Sequence, residues 1–266
     1  MAFERIYLHL LILSLILVIY GMKSFSFKNG TPTCDNFIIN VYLYLALSII
    51  IVGLSCYFYN YIINEPNERN KYLPHNEIYR KMWPQILFSY LISFGLIIYI
   101  AFSQPFKNKN YKNVHIAWLL FLILISTGVY PYFKSEETKD IVENALLITG
   151  SIFVVMSSIA YIIPKFFEKS YNFMTTTLLV GLLVIIIVEL INLLFNKDQD
   201  SLLKTFRFTS YIVIFIFTLF VSYDTHRMIM LKNMCTSLPN YPKFSLDFFL
   251  DILNLFKRIV FLKSSE

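Results

Sequence analysis

Apolar runs long enough to cross a bilayer recur along the whole chain, and this pattern constrains the fold more than any other feature. A hydrocarbon core about 30 Å thick needs roughly 20 apolar residues per helix. Because lipid offers the backbone no hydrogen-bond partners, a spanning segment is either a helix or part of a closed barrel. These runs are continuously apolar, whereas barrel strands alternate apolar and polar residues. The sequence therefore predicts an all-α polytopic membrane protein.

The apolar runs are separated by short clusters of charged residues. We predict helical spans at residues 5–22, 37–63, 82–105, 113–133, 140–164, 172–195, 209–231 and 244–262. Pro84 is expected in the first turn of the third span, where its missing N–H costs little. The first run also has the length and charged start of a cleaved secretory signal, but no small-residue cleavage site follows it, so we interpret it as a retained span.

Composition excludes several classes of protein. With 57% hydrophobic and 15% charged residues, the chain lacks the charge that a soluble domain needs to cover its surface. The net charge of +6 is spread over short loops, so the lipid bilayer is the expected partner and nucleic acid is not.

With eight spans, the side carrying both termini holds 13 of the 23 Lys and Arg residues, which favours cytosolic termini by a small margin. The three cysteines show no metal-ligand spacing and indicate no compartment.

A few ionisable residues lie inside the predicted spans. At the centre of a membrane helix, such a residue raises the free energy of insertion by about 2.5–3.5 kcal/mol. Such residues usually pair with one another or mark an ion or proton pathway. Asp224 lies late in the seventh span, with Arg227 at i+3 as a candidate partner. Glu189 lies near the end of the sixth span, where it either lines a polar interior or extends to the membrane surface.

The last span carries a polar stripe made of Asp247, Asp251, Asn254 and Arg258, which share one helix face. A helix lying on the membrane surface would show the same stripe, but it would usually carry Lys or Arg rather than two acids. We therefore favour a buried stripe, with Asp224 of the preceding span as the group that meets it. Two carboxylates in a low-dielectric site share a proton and titrate as a pair, and Ca²⁺ prefers carboxylate oxygens.

Two motifs carry a resemblance to a known family. The run Tyr223-Asp224-Thr225-His226 and the stretch SLDFFLDILNLF, together with ALLITGSIFVVMSSIAYIIP further upstream, resemble motifs of the Bax inhibitor-1 family, also called the transmembrane Bax inhibitor motif family. The resemblance covers residues 140–262. His226 stands where the family has glutamine, and Asp247 stands where it has asparagine or a small polar residue.

The resemblance implies a seven-helix bundle over residues 37–266, with residues 1–36 as an extra N-terminal span and loop. It implies that Asp224 and Asp251 form a pH-sensing latch over a Ca²⁺ leak pathway in an intracellular membrane, of the endoplasmic reticulum or Golgi, which moderates stress-induced cell death. Ca²⁺ is then the permeant ion, with H⁺ as regulator, and neither a cofactor nor a resident metal is assigned. The expected accessory polar residues are Asp247, Asn254, Arg227 and Glu189.

Other functions are compatible with buried acids. A proton-coupled secondary transporter would use them as proton relays, although the internal repeats typical of that class are not evident. A non-conducting scaffold that regulates other membrane proteins would need them only for folding. An enzyme is not expected, because the loops leave no room for a soluble catalytic domain. An intramembrane aspartyl protease would need a GxGD-like run, but Asp224 follows Ser222 and Tyr223.

Overall fold

The computed structural model describes residues 2–28, 31–64, 74–103, 111–136, 138, 140–195, 198–235 and 239–264. Within these residues the chain forms nine α-helices, a 3₁₀ turn and a two-stranded ribbon. The helices are α1 Ala2–Phe25, α2 Phe37–Ile63, α3 His75–Phe102, α4 Tyr111–Ile125, α5 Tyr130–Lys134, α6 Val142–Ile162, α7 Pro164–Phe195, α8 Gln199–Asn233 and α9 Tyr241–Ser264. The 3₁₀ turn Ser126–Gly128 joins α4 to α5, and strands β1 Phe27–Lys28 and β2 Thr31–Pro32 pair antiparallel.

Helices occupy all eight predicted spans, the fourth being α4, the 3₁₀ turn and α5 together. Among the described residues, six helices are long and apolar enough to cross a membrane, and α7 adds a shorter apolar stretch at 176–192. The qualifying segments are 8–25, 37–63, 80–102, 111–128, 142–162 and 200–233. The fold class of an all-α polytopic membrane protein is confirmed. Helix α9 does not qualify, because its polar stripe lowers its mean hydropathy.

The predicted third span agrees with an apolar segment at residues 80–102, but the placement of Pro84 in the first turn of its helix was wrong. Helix α3 begins at His75 rather than at residue 82, so Pro84 lies well inside the helix and not in its first turn. The residues before the apolar run are charged, as in EIYRKMW, so hydropathy alone places the boundary too late. As a proline, Pro84 has no N–H to donate to the preceding turn, and this position favours a local bend in α3.

The described chain divides into two compact units, of which the first comprises Met1–Lys139 and Lys232–Phe249. In this unit α1 and α2 run antiparallel, because Gly21 faces Leu43 while Gly53 faces Leu11. A Cβ atom on Gly21 would lie 3.3 Å from a methyl group of Leu43. Glycine at these points lets the two helices approach closely, as small residues do in membrane helix pairs.

Helix α4 runs parallel to α2 in the same unit. The Tyr44 hydroxyl lies 2.7 Å from Nε2 of His115, and the Tyr59 hydroxyl donates to the carbonyl of Ile123 over 2.9 Å. The residue number rises along both helices from one contact to the next, so the two helices cross in the same direction. This matches an alternating path in which α3 returns the chain between them.

The second unit comprises Asp140–Leu231 and Leu250–Glu266. Helices α7 and α8 are antiparallel there, because Gly181 approaches Ile216 while Phe167, nearer the start of α7, stacks on His226 near the end of α8. A buried apolar cluster joins α7, α8 and the last part of α9. Its members are Leu178, Ile185, Val213, Ile216, Phe217, Val221 and Leu255.

A buried asparagine holds the connection between α1 and α2 in the first unit. The Asn40 amide nitrogen donates to the carbonyls of Phe25 and Asp35 at 3.0 and 2.8 Å. The same nitrogen lies 2.9 Å from the Tyr241 hydroxyl, and the Ser26 hydroxyl donates to the Asn40 side-chain oxygen over 2.9 Å. One side chain in α2 therefore satisfies the polar groups of the loop before it and contacts the first residue of α9.

Replacing this amide tests its structural role. Asn40→Ala leaves several buried polar groups without partners, so we expect the free energy of unfolding to fall by about 1–3 kcal/mol. The thermal midpoint in detergent is measured through the reaction of a maleimide dye with Cys56, a buried free thiol. Ile39→Ala is the matched control, because its side chain on the preceding residue is 51% exposed. Equal midpoints for Asn40→Ala and the unaltered chain would contradict the assignment.

Candidate functional site

Helix α9 is enclosed by protein along almost its entire length. From Tyr241 to Lys263, every residue is buried or partly buried. A helix lying on the membrane surface would expose its polar face, so this alternative for the last span does not fit the structure. Protein therefore covers most of the surface of α9, including much of its polar stripe.

The two predicted latch residues both lie in the second unit, one on each of two consecutive helices. Asp251 on α9 is only 5% exposed. Asp224 on α8 is half-buried. A carboxylate at such depth in a membrane protein needs a proton, a cation or hydrogen-bond donors to offset its desolvation.

The turn of α8 that carries Asp224 is fixed against α6 by its neighbours. The Ser222 hydroxyl donates to the carbonyl of Met156 over 3.1 Å. The Thr225 hydroxyl lies 3.2 Å from the hydroxyl of Ser157. These contacts between side chains on either side of Asp224 and helix α6 set the rotation of α8 about its axis.

His226, one of the two positions that differ from the resembled motif, has an aromatic partner. His226, at 2% exposure, stacks on Phe167 of α7 with ring centroids 6.0 Å apart. A glutamine would not provide a flat ring for this contact. The substitution therefore adds a packing contact between α7 and α8, one turn or less from Asp224.

A second polar group, which we call the Glu189–Arg258 layer, joins α7, α8 and α9. The Arg258 guanidinium donates two hydrogen bonds to the Glu189 carboxylate, of 2.7 and 2.9 Å. The Thr209 hydroxyl also donates to Glu189 over 2.7 Å, and Arg258 lies 3.3 Å from the Ser210 hydroxyl. The side chains of Glu189 and Arg258 are 15% and 25% exposed, so the pair is largely buried.

This ion pair was missed by sequence reasoning, which placed Glu189 and Arg258 on separate helices without joining them. The positions of the two residues along their helices could have indicated the pair. Each lies six residues before the end of its helix, and α7 and α9 cross in the same direction under the alternating path. Two opposite charges at matched depth on such helices are candidates for pairing.

The other predicted site residues lie on α8 and α9. Asp247 is half-buried and lies one helical turn before Asp251 on α9. The Asn254 amide donates to the carbonyl of Leu250 over 2.8 Å, so it bonds to its own helix. Arg227 is half-buried on α8. The structure thus brings Glu189 together with Arg258, and Asp224, Arg227, Asp251 and Asn254 all belong to the second unit.

Comparison with known proteins gives two matches. The sequence model of a family described as "Inhibitor of apoptosis-promoting Bax1" matches residues 34–264, which begins after α1 and includes all the other helices. A protein of Vibrio cholerae serotype O1, described as an uncharacterized membrane protein, is 28% identical over 120 residues. That match covers 45% of this chain and 48% of the relative, so the chain spans about half of the relative's length.

The Glu189–Arg258 layer predicts a specific pattern of stabilities. Either Glu189→Gln or Arg258→Gln leaves a charge without its partner, which we expect to cost about 2 kcal/mol or more of unfolding free energy. The double variant should lose less than the sum of the two, because no lone charge remains. The fraction of monodisperse protein after heating, read by fluorescence size-exclusion chromatography, measures each loss.

Glu77→Gln is the matched control for this series, since Glu77 is exposed near the start of α3. It should leave the thermal midpoint unchanged. Strictly additive losses for Glu189→Gln and Arg258→Gln would show that the two side chains do not act as a pair.

Proposed function

The chain belongs to the Bax inhibitor-1 family, and on this basis we propose that it is a proton-regulated Ca²⁺ leak channel of an intracellular membrane. In this proposal Asp224 and Asp251 form the latch that proton binding opens or closes. The leak would lower the Ca²⁺ content of a store in the endoplasmic reticulum or Golgi and so moderate stress-induced cell death, in keeping with the family's description. The carboxylates serve ion and proton binding, and no catalytic step is assigned.

The observation that supports this proposal most is a nearly inaccessible carboxylate on a helix that protein covers along most of its length. Asp251 is 5% exposed, and α9 has no exposed residue from Tyr241 to Lys263. A protein that needed α9 only as a packing element would gain by replacing this acid with an apolar residue. Ionisable residues inside membrane bundles are typically ion ligands or proton carriers, so the burial of Asp251 favours one of these roles.

Proton control follows from the chemistry of the two aspartates. If Asp224 and Asp251 meet in the second unit, the low dielectric prevents both from ionising independently, and the pair titrates as one system. With one shared proton the carboxylates attract each other, and with none they repel each other. Loss of the last proton also creates a site that Ca²⁺ favours, because carboxylate oxygens are its preferred ligands.

The Glu189–Arg258 layer gives the proposed pathway a second polar level. Asp251 and Arg258 are seven residues apart on α9, or about 10 Å along the helix axis. The guanidinium is already paired with Glu189 and lies 3.3 Å from the Ser210 hydroxyl of α8, while the Thr209 hydroxyl donates to Glu189. We assign this layer to holding α7, α8 and α9 together while the aspartates respond to protons.

The proposal is tested by Ca²⁺ efflux from proteoliposomes between pH 5 and pH 8. We expect the unaltered chain to show a leak that changes with pH, and Asp224→Asn and Asp251→Asn to lose that change while remaining folded. Asparagine keeps the size of the side chain and removes only the titrating group. Asp140→Asn is the matched control, because Asp140 is exposed beside the start of α6, and it should keep the full pH response.

Three outcomes separate the candidate functions. A leak whose pH response survives in both latch variants would remove the aspartates from the mechanism. Accumulation of Ca²⁺ against its gradient when a proton gradient is imposed would identify a transporter instead. Absence of any flux at every pH, with protein that elutes as a folded species, would reject conduction and favour the non-conducting scaffold.

A further inference from the structure

A disulfide bond joins two loops that lie far apart in the sequence. Cys34, in the connection between α1 and α2, is bonded to Cys235, in the connection between α8 and α9, 201 residues later. We propose that these two loops face an oxidising compartment, namely the lumen of a secretory organelle, that both ends of the chain face the cytosol, and that this bond is a redox-sensitive link between α2 and α9. The inference does not depend on the channel proposal.

The two loops are held together by contacts that do not involve sulfur. The Tyr241 hydroxyl donates to the carbonyl of Thr33, the residue before Cys34. The ring of Phe37, which opens α2, packs against the ring of Tyr241, with centroids 5.6 Å apart. The approach of Cys34 to Cys235 is therefore part of the packing of the first unit and not a consequence of the bond alone.

The helix order independently places both loops on one side of the membrane. Five described helices between the loops qualify as spans, and we count α7, whose apolar stretch is 176–192, as a sixth crossing. The chain then crosses an even number of times between Cys34 and Cys235. Other helix ends in the first unit agree with this. The Lys243 ammonium donates to the carbonyl of Ala101 at the end of α3 over 2.8 Å, and His115 near the start of α4 lies 6.4 Å from Phe27.

Redox chemistry decides which side this is. Forming the bond removes two electrons and two protons from the Cys34 and Cys235 thiols, and a disulfide oxidant accepts them and becomes two thiols. Such oxidants dominate in secretory lumens, whereas the cytosolic glutathione and thioredoxin systems keep thiols reduced. Both cysteines are half-buried rather than enclosed, so exchange partners can reach them. The small excess of Lys and Arg on the side of the termini points the same way.

The bond has a mechanical consequence for α9. Cys235 lies six residues before the start of α9, and Cys34 lies three residues before the start of α2. Oxidation therefore tethers the first turns of these two helices through a short piece of chain. Reduction leaves the contacts of Asn40 and Tyr241 to hold them, so the first turn of α9 becomes easier to separate from α2.

Thiol counting on the full chain from mammalian cells tests whether the bond forms. Free thiols are blocked with N-ethylmaleimide in denaturant, the sample is reduced, and new thiols are tagged with a polyethylene glycol maleimide. We expect two tags on the unaltered chain and on Cys56→Ser, and none on Cys34→Ser or Cys235→Ser, where the remaining cysteine is blocked at the first step. No tags on the unaltered chain, or a reducible dimer in its place, would overturn the proposal even if the serine variants fail to fold.

The side of the membrane is tested with sealed microsomes whose cytosolic face is outward. The Cys56→Ser chain is treated with a charged phosphine reductant that does not cross membranes, and its free thiols are then tagged in denaturant. We expect no tags while the vesicles are sealed and two after detergent is added. Two tags in sealed vesicles would place both loops in the cytosol and overturn the assigned orientation.

Discussion

The arginine of α9 explains why three helices meet in the second unit. A guanidinium in hydrocarbon is expensive unless it is paired and hydrogen-bonded. Arg258 meets this requirement by pairing with a carboxylate of α7 and contacting a hydroxyl of α8. A second hydroxyl of α8 donates a hydrogen bond to the same carboxylate. Because these groups come from different helices, the charge is stable only when α7, α8 and α9 converge. The apolar cluster between the same helices then fills the space that this convergence creates.

The positions of the helices could be predicted from the sequence because a bilayer makes length and apolarity decisive. The position of Pro84 was predicted wrongly, because α3 begins with a charged turn that precedes the apolar run and that hydropathy does not mark. The burial of α9 could be inferred from two acids in its polar stripe, which suit an enclosed helix better than an anionic membrane surface. The family was likewise evident from Asp224, Asp251 and the residues around them, and the match over residues 34–264 extends it well upstream.

Contacts between distant segments were not predictable in the same way. Helical periodicity relates residues three or four positions apart, whereas Glu189 and Arg258 are 69 residues apart and Cys34 and Cys235 are 201 apart. Neither pair leaves a local pattern in the sequence. The ion pair is suggested by the equal distance of its two residues from the ends of helices that cross in the same direction. The disulfide is possible because an even number of crossings between the two cysteines brings them to one side of the membrane. Both arguments can be made only after the order and direction of the helices are known.

The enclosed polar stripe of α9 also bears on how the protein is made. A translocon inserts a segment into lipid according to its hydrophobicity. Because α9 contains acidic and basic residues, we expect it to insert inefficiently by itself. Helices α7 and α8 precede α9 in the chain and are therefore synthesised before it. Glu189, Thr209 and Ser210 then offer partners that lipid lacks. The insertion of α9 is therefore a step of tertiary assembly, and its efficiency depends on helices synthesised before it.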